Sequence, residues 1–208
     1  MLSLPNVTLV AMGSTDIEGM RKALDYSASK VNFGEVKLIE HPCNGIDAWN
    51  KAIVFDLGGY ISTPYALLIH PDGGIGQADS WNDKWLEYDY IGSPWPLPTD
   101  DFSYRDIKGQ IQRVGNSVSL RSKKLMDLPK KLGMEWKSFH GNTNEDGYIC
   151  VNMRHVFEEN GCKFAPFEEA VKFGCETLLP EHADVPNPFV YHRHNNFINE
   201  VYPNFEKQ

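Results

Sequence analysis

Residues 65–70 read Tyr-Ala-Leu-Leu-Ile-His, a continuous apolar run that ends on Pro71 and Asp72. A strand with one wet face alternates apolar and polar side chains. A run without that alternation is a strand covered on both faces. Such a strand needs layers on each side of its sheet, and the flanking segments supply them. Residues 7–12 (VTLVAM) read as a buried first strand. Gly13, Ser14, Thr15 and Asp16 follow with cap chemistry, and a helix is predicted over 17–29. Residues 35–40 alternate as a second strand, and 44–55 have helical spacing stopped by Gly58 and Gly59. Strands alternating with helices predict an α/β fold: a mostly parallel, Rossmann-like central sheet with helices on both faces.

Beyond Asp72 the signals are more mixed. Gly73, Gly74 and Gly76 make a glycine-rich loop, and 81–88 predicts a short amphipathic helix. Residues 91–101, rich in Pro and Trp, read as a fixed loop. A strand is expected over 112–120, a basic helix over 122–132, and helical spacing after an acidic start over 144–160. Residues 164–176 suggest a short strand and turn. The tail from Pro180, with prolines, histidines and aromatics, is expected to wrap the surface without building core.

The chain has 208 residues, enough for one compact domain that buries about 70% of its unfolded surface. No repeat or composition shift divides it, so residues 1–208 read as a single domain, on its own or as part of a longer chain. A formal net charge of -8 disfavours nucleic acid as a main partner. Small anionic ligands stay open, because one bound cation reverses a local field. Cys43, Cys150, Cys162 and Cys175 form no Cys-x-x-Cys pair and are expected as reduced thiols. There is no signal-peptide pattern, and no run approaches the ~20 apolar residues of a membrane span. The expected location is cytoplasmic, or host cytoplasm for a viral chain.

Several constellations carry chemistry. In open α/β sheets ligands bind beyond the carboxyl ends of the strands. Asp72 stands there, followed by glycines that let backbone approach a phosphate. The same residues also fit a Pro-Asp-Gly turn. Asp79 is a second carboxylate nearby, or the N-cap of the helix that follows. Glu145 and Asp146 open a helix, where one acid can act as a general base or both can compensate the helix dipole. The tetrapeptide YHRH at 191–194 places His192 and His194 at strand spacing, as metal ligands or as ordinary buried or surface histidines. Asn116 and Ser117, at a small and polar strand end, line a sugar pocket or a turn. Trp95, Tyr88 and Tyr90 stack on sugars or serve as core and rim.

In order, the strings VTLVAMGS, YALLIHPDG, LEYDYIGSPWP, GNSVSLRS, NEDGYICVN and FAPFEEAVKFGCE resemble a family of largely uncharacterised bacterial and viral proteins with a glycosyltransferase-A-like domain. The resemblance spans nearly the whole chain, and YDYIGSPW is its most specific string. It implies a metal-dependent glycosyltransferase of hexosyltransferase type, inverting, with a nucleotide-sugar donor (a UDP-sugar favoured) and a glycan acceptor. It implies a divalent cation, manganese favoured over magnesium. Asp72 matches the strand-ending metal ligand, His192 a C-terminal histidine that completes such a site, and Asp146 the general base, with Glu145 beside it. Asn116 and Ser117 fall in the donor-sugar pocket, and Ala11, Met12 and Gly13 against the nucleoside. Two departures stand out. His70 replaces the first Asp of Asp-x-Asp, leaving Asp79 as a candidate substitute. Asn116 is followed by Ser117-Val118-Ser119, where the family has a glycine pair. The competing functions are a non-catalytic carbohydrate- or nucleotide-sugar-binding domain and a nucleotidyltransferase. The second should carry a basic phosphate loop after the first strand, which Gly13 to Asp16 does not provide.

Overall fold

The computed structural model describes residues 1–139, 144–185, 187–193, 196–197 and 200–207. Its centre is a five-stranded sheet in the order β2-β1-β3-β6-β5. The strands are β1 (Leu2–Gly13), β2 (Val31–Glu40), β3 (Tyr65–Leu68), β5 (Tyr90–Pro94) and β6 (Val114–Ser122). The short strand β4 (Gly73–Ile75) belongs to a second sheet.

β1 pairs in parallel with β2 and with β3, as expected. β6 runs antiparallel to both β3 and β5, so the sheet is mixed and not mostly parallel. The cause lies in residues 91–101, predicted as a loop. Their first part is strand β5, which is wholly buried, and it returns to β6 through irregular chain and not through a crossover helix. Antiparallel neighbours do not need such a crossover.

Alternation along β1 sorts its side chains onto two helical layers. Leu9 and Ala11 pack with Met20, Ala23 and Leu24 of α1 (Ile17–Ala28). Val10 and Met12 pack with Ala52 and Ile53 of α2 (Gly45–Phe55), Leu57 of α3 (Leu57–Tyr60) and Met126 of α4 (Lys123–Leu132). Asp16 caps α1 by accepting the Gly19 N–H at 3.2 Å from a left-handed backbone (φ 48°), which Asp tolerates. Helices therefore cover both faces, and Leu67 and Leu68 of β3 face opposite cores. The segment 81–88 holds only a 3-10 turn, Asp83–Glu87, anchored by buried Trp85.

The C-terminal third departs most from expectation. Residues 164–176 hold helix α7 (Phe167–Phe173) and a two-residue strand β7 (Gly174–Cys175). Before them come α5 (Glu145–Gly147), a π-helical turn Tyr148–Asn152 and α6 (Arg154–Glu159). The tail was expected on the surface, yet Phe189, Val190, Tyr191 and Tyr202 are buried. Strand β8 (Val190–His192) inserts between β4 and β7, antiparallel to the first and parallel to the second. The four cysteines are unpaired, and three are buried. Among the described residues no helix is long and apolar enough to cross a membrane.

Candidate active site

Two cavities open above the strand ends. The larger, about 960 Å³, is lined by Met12 and Gly13 from the end of β1, by Ser14 to Asp16, and by His70, Pro71 and Asp72 beyond β3. The smaller, about 460 Å³, is lined by Asn116, Asp146, Glu176, Trp95 and Tyr104. Ile46, Trp49, Ser117, His192 and Arg193 line both, so the two form one cleft with a shared wall.

The shared wall depends on β8. Pairing of Gly73 with His192 sets His192 beside the turn that carries Asp72. The His192 Nε2 lies 3.5 Å from an Asp72 carboxylate oxygen. Gly73 permits this approach: a Cβ there would sit 2.8 Å from Val118, 2.9 Å from the Tyr191 carbonyl oxygen and 3.2 Å from the His192 ring. On the other edge, β7 pairs Cys175 with Tyr191, which brings Glu176 alongside. A Glu176 oxygen lies 3.6 Å from His192 Nδ1 and 3.2 Å from Arg193 Nε.

Burial would raise the Asp72 carboxyl, but the hydrogen bond and charge of His192 outweigh it and hold Asp72 below its usual value. His70 stands where a carboxylate was expected. Burial, then the nearby His192, pushes it down to about 3, so it is neutral. Its ring lies between Trp49 (centroids 5.3 Å apart) and His192 (5.1 Å), and its buried Nε2 has no hydrogen-bond partner among the described residues. Trp49 is itself fixed, donating from Nε1 to the Met12 carbonyl at 2.7 Å.

The two acids at the start of α5 diverge. Glu145 is fully buried, accepts from Arg121 Nη2 at 2.9 Å and from the Ser117 hydroxyl, and lines neither cavity. Arg121 is 1% exposed and also donates to Ser119 Oγ at 2.9 Å. Glu145 thus holds a counter-ion's position. Asp146 faces the smaller cavity. Burial, then the charge of Glu145, pushes its carboxyl up to about 7, which suits a group that must gain a proton near neutral pH.

Of the other predicted residues, Met12 and Gly13 line the larger cavity, Asn116 the smaller and Ser117 both, while Ala11 is buried beneath in the core. Asp79 is exposed in the 3-10 turn Ala78–Ser80 and lines neither cavity. His194 lies outside the described residues. Tyr90 and Trp95 are buried, and Trp95 stacks on Tyr104 at 4.8 Å along the smaller cavity.

Sequence reasoning did not single out Arg121, Trp49, Arg193 or Glu176. Arg121 had a signal, because a charged residue in a buried strand requires a counter-charge. Glu176 had none, since its place follows from β7 meeting β8.

Among the described residues no group of three or more His, Cys, Asp and Glu side chains is arranged to hold a metal. Asp72 and His192 supply two adjacent donors of suitable chemistry. That set fits a cation that takes its remaining ligands from substrate phosphates, the usual arrangement where protein donors are few.

A family model described as "protein of unknown function (DUF5672)" matches residues 59–192. No curated protein matches the chain. A crystal structure described as a glycosyltransferase involved in the glycosylation of the major capsid of PBCV-1, a chlorella virus, superposes with a TM-score of 0.57. The match covers 89% of this chain and 91% of that one at 11% identity, a likeness of fold.

Proposed function

The chain belongs to the family of proteins of unknown function DUF5672, and from that premise we propose that it is a metal-dependent, inverting glycosyltransferase. Its donor is a nucleotide sugar, a UDP-sugar favoured, and its acceptor a carbohydrate hydroxyl. One observation carries this reading: a single cleft has Asp72 and His192 at the end of β3 and Asp146 on the far side of the same wall. The shared fold with a glycosyltransferase supports it.

The nucleoside diphosphate occupies the larger cavity, against Met12 and Gly13, with its phosphates toward Asp72 and His192. Manganese, or magnesium in its place, would be held by those two side chains. When bound it neutralises the charge that grows on the leaving diphosphate, worth several kcal/mol in a desolvated site. The sugar lies toward Asn116 and Ser117, where the cavities meet. Asp146 takes the proton of the acceptor hydroxyl as the acceptor oxygen bonds to the anomeric carbon. The anomeric carbon–diphosphate bond breaks on the opposite face, so the configuration inverts. Glu145, tied to Arg121, contributes fixed charge beside Asp146 and takes no proton in this scheme.

The test is incubation with a panel of nucleotide sugars and manganese. Slow release of nucleoside diphosphate is expected from the correct donor, by hydrolysis where no acceptor is present. No release, together with no metal-dependent thermal shift with any donor, rejects the enzyme. A product that keeps the donor's anomeric configuration rejects inversion. A non-catalytic nucleotide-sugar-binding domain is the second reading, favoured by neutral His70 in place of an acid. It predicts binding without release.

A further inference from the structure

We infer that Tyr104 is the acceptor-binding platform of the cleft: the face of its ring turned away from Trp95 stacks on the apolar face of a pyranose and presents a sugar hydroxyl to Asp146. This rests on the glycosyltransferase reading above and names the acceptor class for it. The backbone gives the first indication. Tyr104 has φ 57°, in the left-handed region, where a bulky side chain is an outlier and glycine the ordinary occupant. Such strain persists only where the surroundings over-determine it, and it gathers at ligand sites. The surroundings of Tyr104 do so. Its carbonyl accepts the Gln112 N–H at 2.7 Å. Asp100 accepts the Phe102 N–H at 2.9 Å and the Ser103 hydroxyl at 2.6 Å, and a bridge between Arg105 and Ile111 closes the loop on the other side.

The strained backbone places a ring. Tyr104 stacks on Trp95 with centroids 4.8 Å and planes 14° apart. Trp95 is fixed in turn. Its N–H donates to the Arg113 carbonyl at 2.9 Å, and a Cβ on Gly115 would lie 1.9 Å from its ring, so only a glycine there leaves room for the indole. The strings YDYIGSPW and GNSVSLRS, distant in sequence, therefore meet in one layered support. Trp95 is buried, Tyr104 is half-buried, and both line the smaller cavity with Asp146. Burial, then the charges of Asp146, Glu176 and Asp100, hold the Tyr104 hydroxyl above its ordinary value, so the ring lies within electrostatic reach of the proposed base. A pyranose matches this wall. It carries C–H bonds on one face and hydroxyls around its rim, and it suits an aromatic ring flanked by a few polar groups. Asn152 and Thr177 bring an amide and a hydroxyl to the same cavity. A serine or asparagine acceptor in a peptide has no such face to stack.

Saturation-transfer NMR of the protein tests this, with magnesium and UDP present and the methyl pyranosides of glucose, galactose, mannose, xylose, fucose and rhamnose as probes. At least one is expected to bind, with saturation concentrated on the C–H bonds of one ring face. Tyr104→Phe keeps the ring and should hold that affinity within about threefold. Tyr104→Gly keeps the left-handed backbone and removes the ring, so binding should weaken about tenfold or more. No binding of any probe to wild type, equal affinity in wild type and Tyr104→Gly, or equal loss in both variants overturns the inference. So does a fall in UDP affinity in Tyr104→Gly that matches the fall in sugar affinity, because the ring would then belong to the nucleoside. Binding is read without turnover. A wild type that binds a pyranoside but releases no nucleoside diphosphate from any donor rejects the glycosyltransferase and leaves the platform standing. Release without pyranoside binding overturns the platform and leaves the transferase.

Discussion

At the scale of single residues, the adjacent acids Glu145 and Asp146 show how environment separates identical chemistry. Glu145 is closed into an ion pair with Arg121, and Asp146 faces the cavity. Removing one partner of a buried pair costs about 3–5 kcal/mol, because the other charge stays buried and unpaired. Arg121→Met should therefore destabilise the fold by that amount in urea denaturation. A change below ~1 kcal/mol would show the pair to be solvated. Asp146 makes a pH prediction. Its carboxyl rises from an ordinary 3.8 to about 7 on folding. The folded state then holds this proton more tightly than the unfolded chain does. The stabilisation is fully present below about pH 4 and is lost as pH rises to about 7. Asp146→Asn should raise the melting temperature at pH 8 and leave it nearly unchanged at pH 4. In the proposed reaction Asp146 must be ionised to act as base, so kcat/KM should climb with an apparent pKa of about 7. A rate already flat at pH 5 would remove Asp146 from the role of base.

At the scale of elements, the site depends on β8 meeting β4. Gly73 lies opposite His192, with no room for a methyl group between Val118 and the Tyr191 carbonyl. Gly73→Ala should push β8 away, lower stability by about 1–3 kcal/mol as overpacking does, and weaken metal-dependent UDP binding. Unchanged calorimetric affinity would mean that Asp72 binds without His192. The same strand shows what the sequence made legible. β1, α1, α2 and β3 stand out because each buries a periodic or continuous apolar run long enough to read. β8 is three residues long, and its place follows from pairing with a strand distant in sequence. β5 contains Gly92 and Pro94, and turn chemistry obscured it. Hence Asp72, Asp146 and His192 could be named from their motifs, whereas Glu176 and the Trp95–Tyr104 stack emerge only from the tertiary arrangement.

At the scale of the whole molecule, the mixed sheet divides the work of one cleft. Parallel strands β1 and β3 end at the larger cavity, where Met12, Gly13 and Asp72 lie. The reversed strand β6 carries Asn116 and Ser117, and α5 sets Asp146 at the smaller cavity. Binding and chemistry should then separate by mutation. A ligand that binds only the folded state raises its stability by RT ln(1 + [L]/Kd), about 2.7 kcal/mol at one hundred times Kd. With manganese and UDP, wild type and Asp146→Asn should show equal thermal shifts, because the larger cavity is intact in both. Asp72→Asn keeps the side-chain volume and removes the negative charge, so its shift should collapse toward that of UDP alone. Turnover should fall in both variants for different reasons. Asp146→Asn should lose kcat by 10²-fold or more, the typical contribution of a positioned base. Asp72→Asn should lose metal-dependent donor binding first. If Asp146→Asn also lost the thermal shift, the two cavities would act as one binding unit, and the separation of donor grip from proton transfer would have to be abandoned.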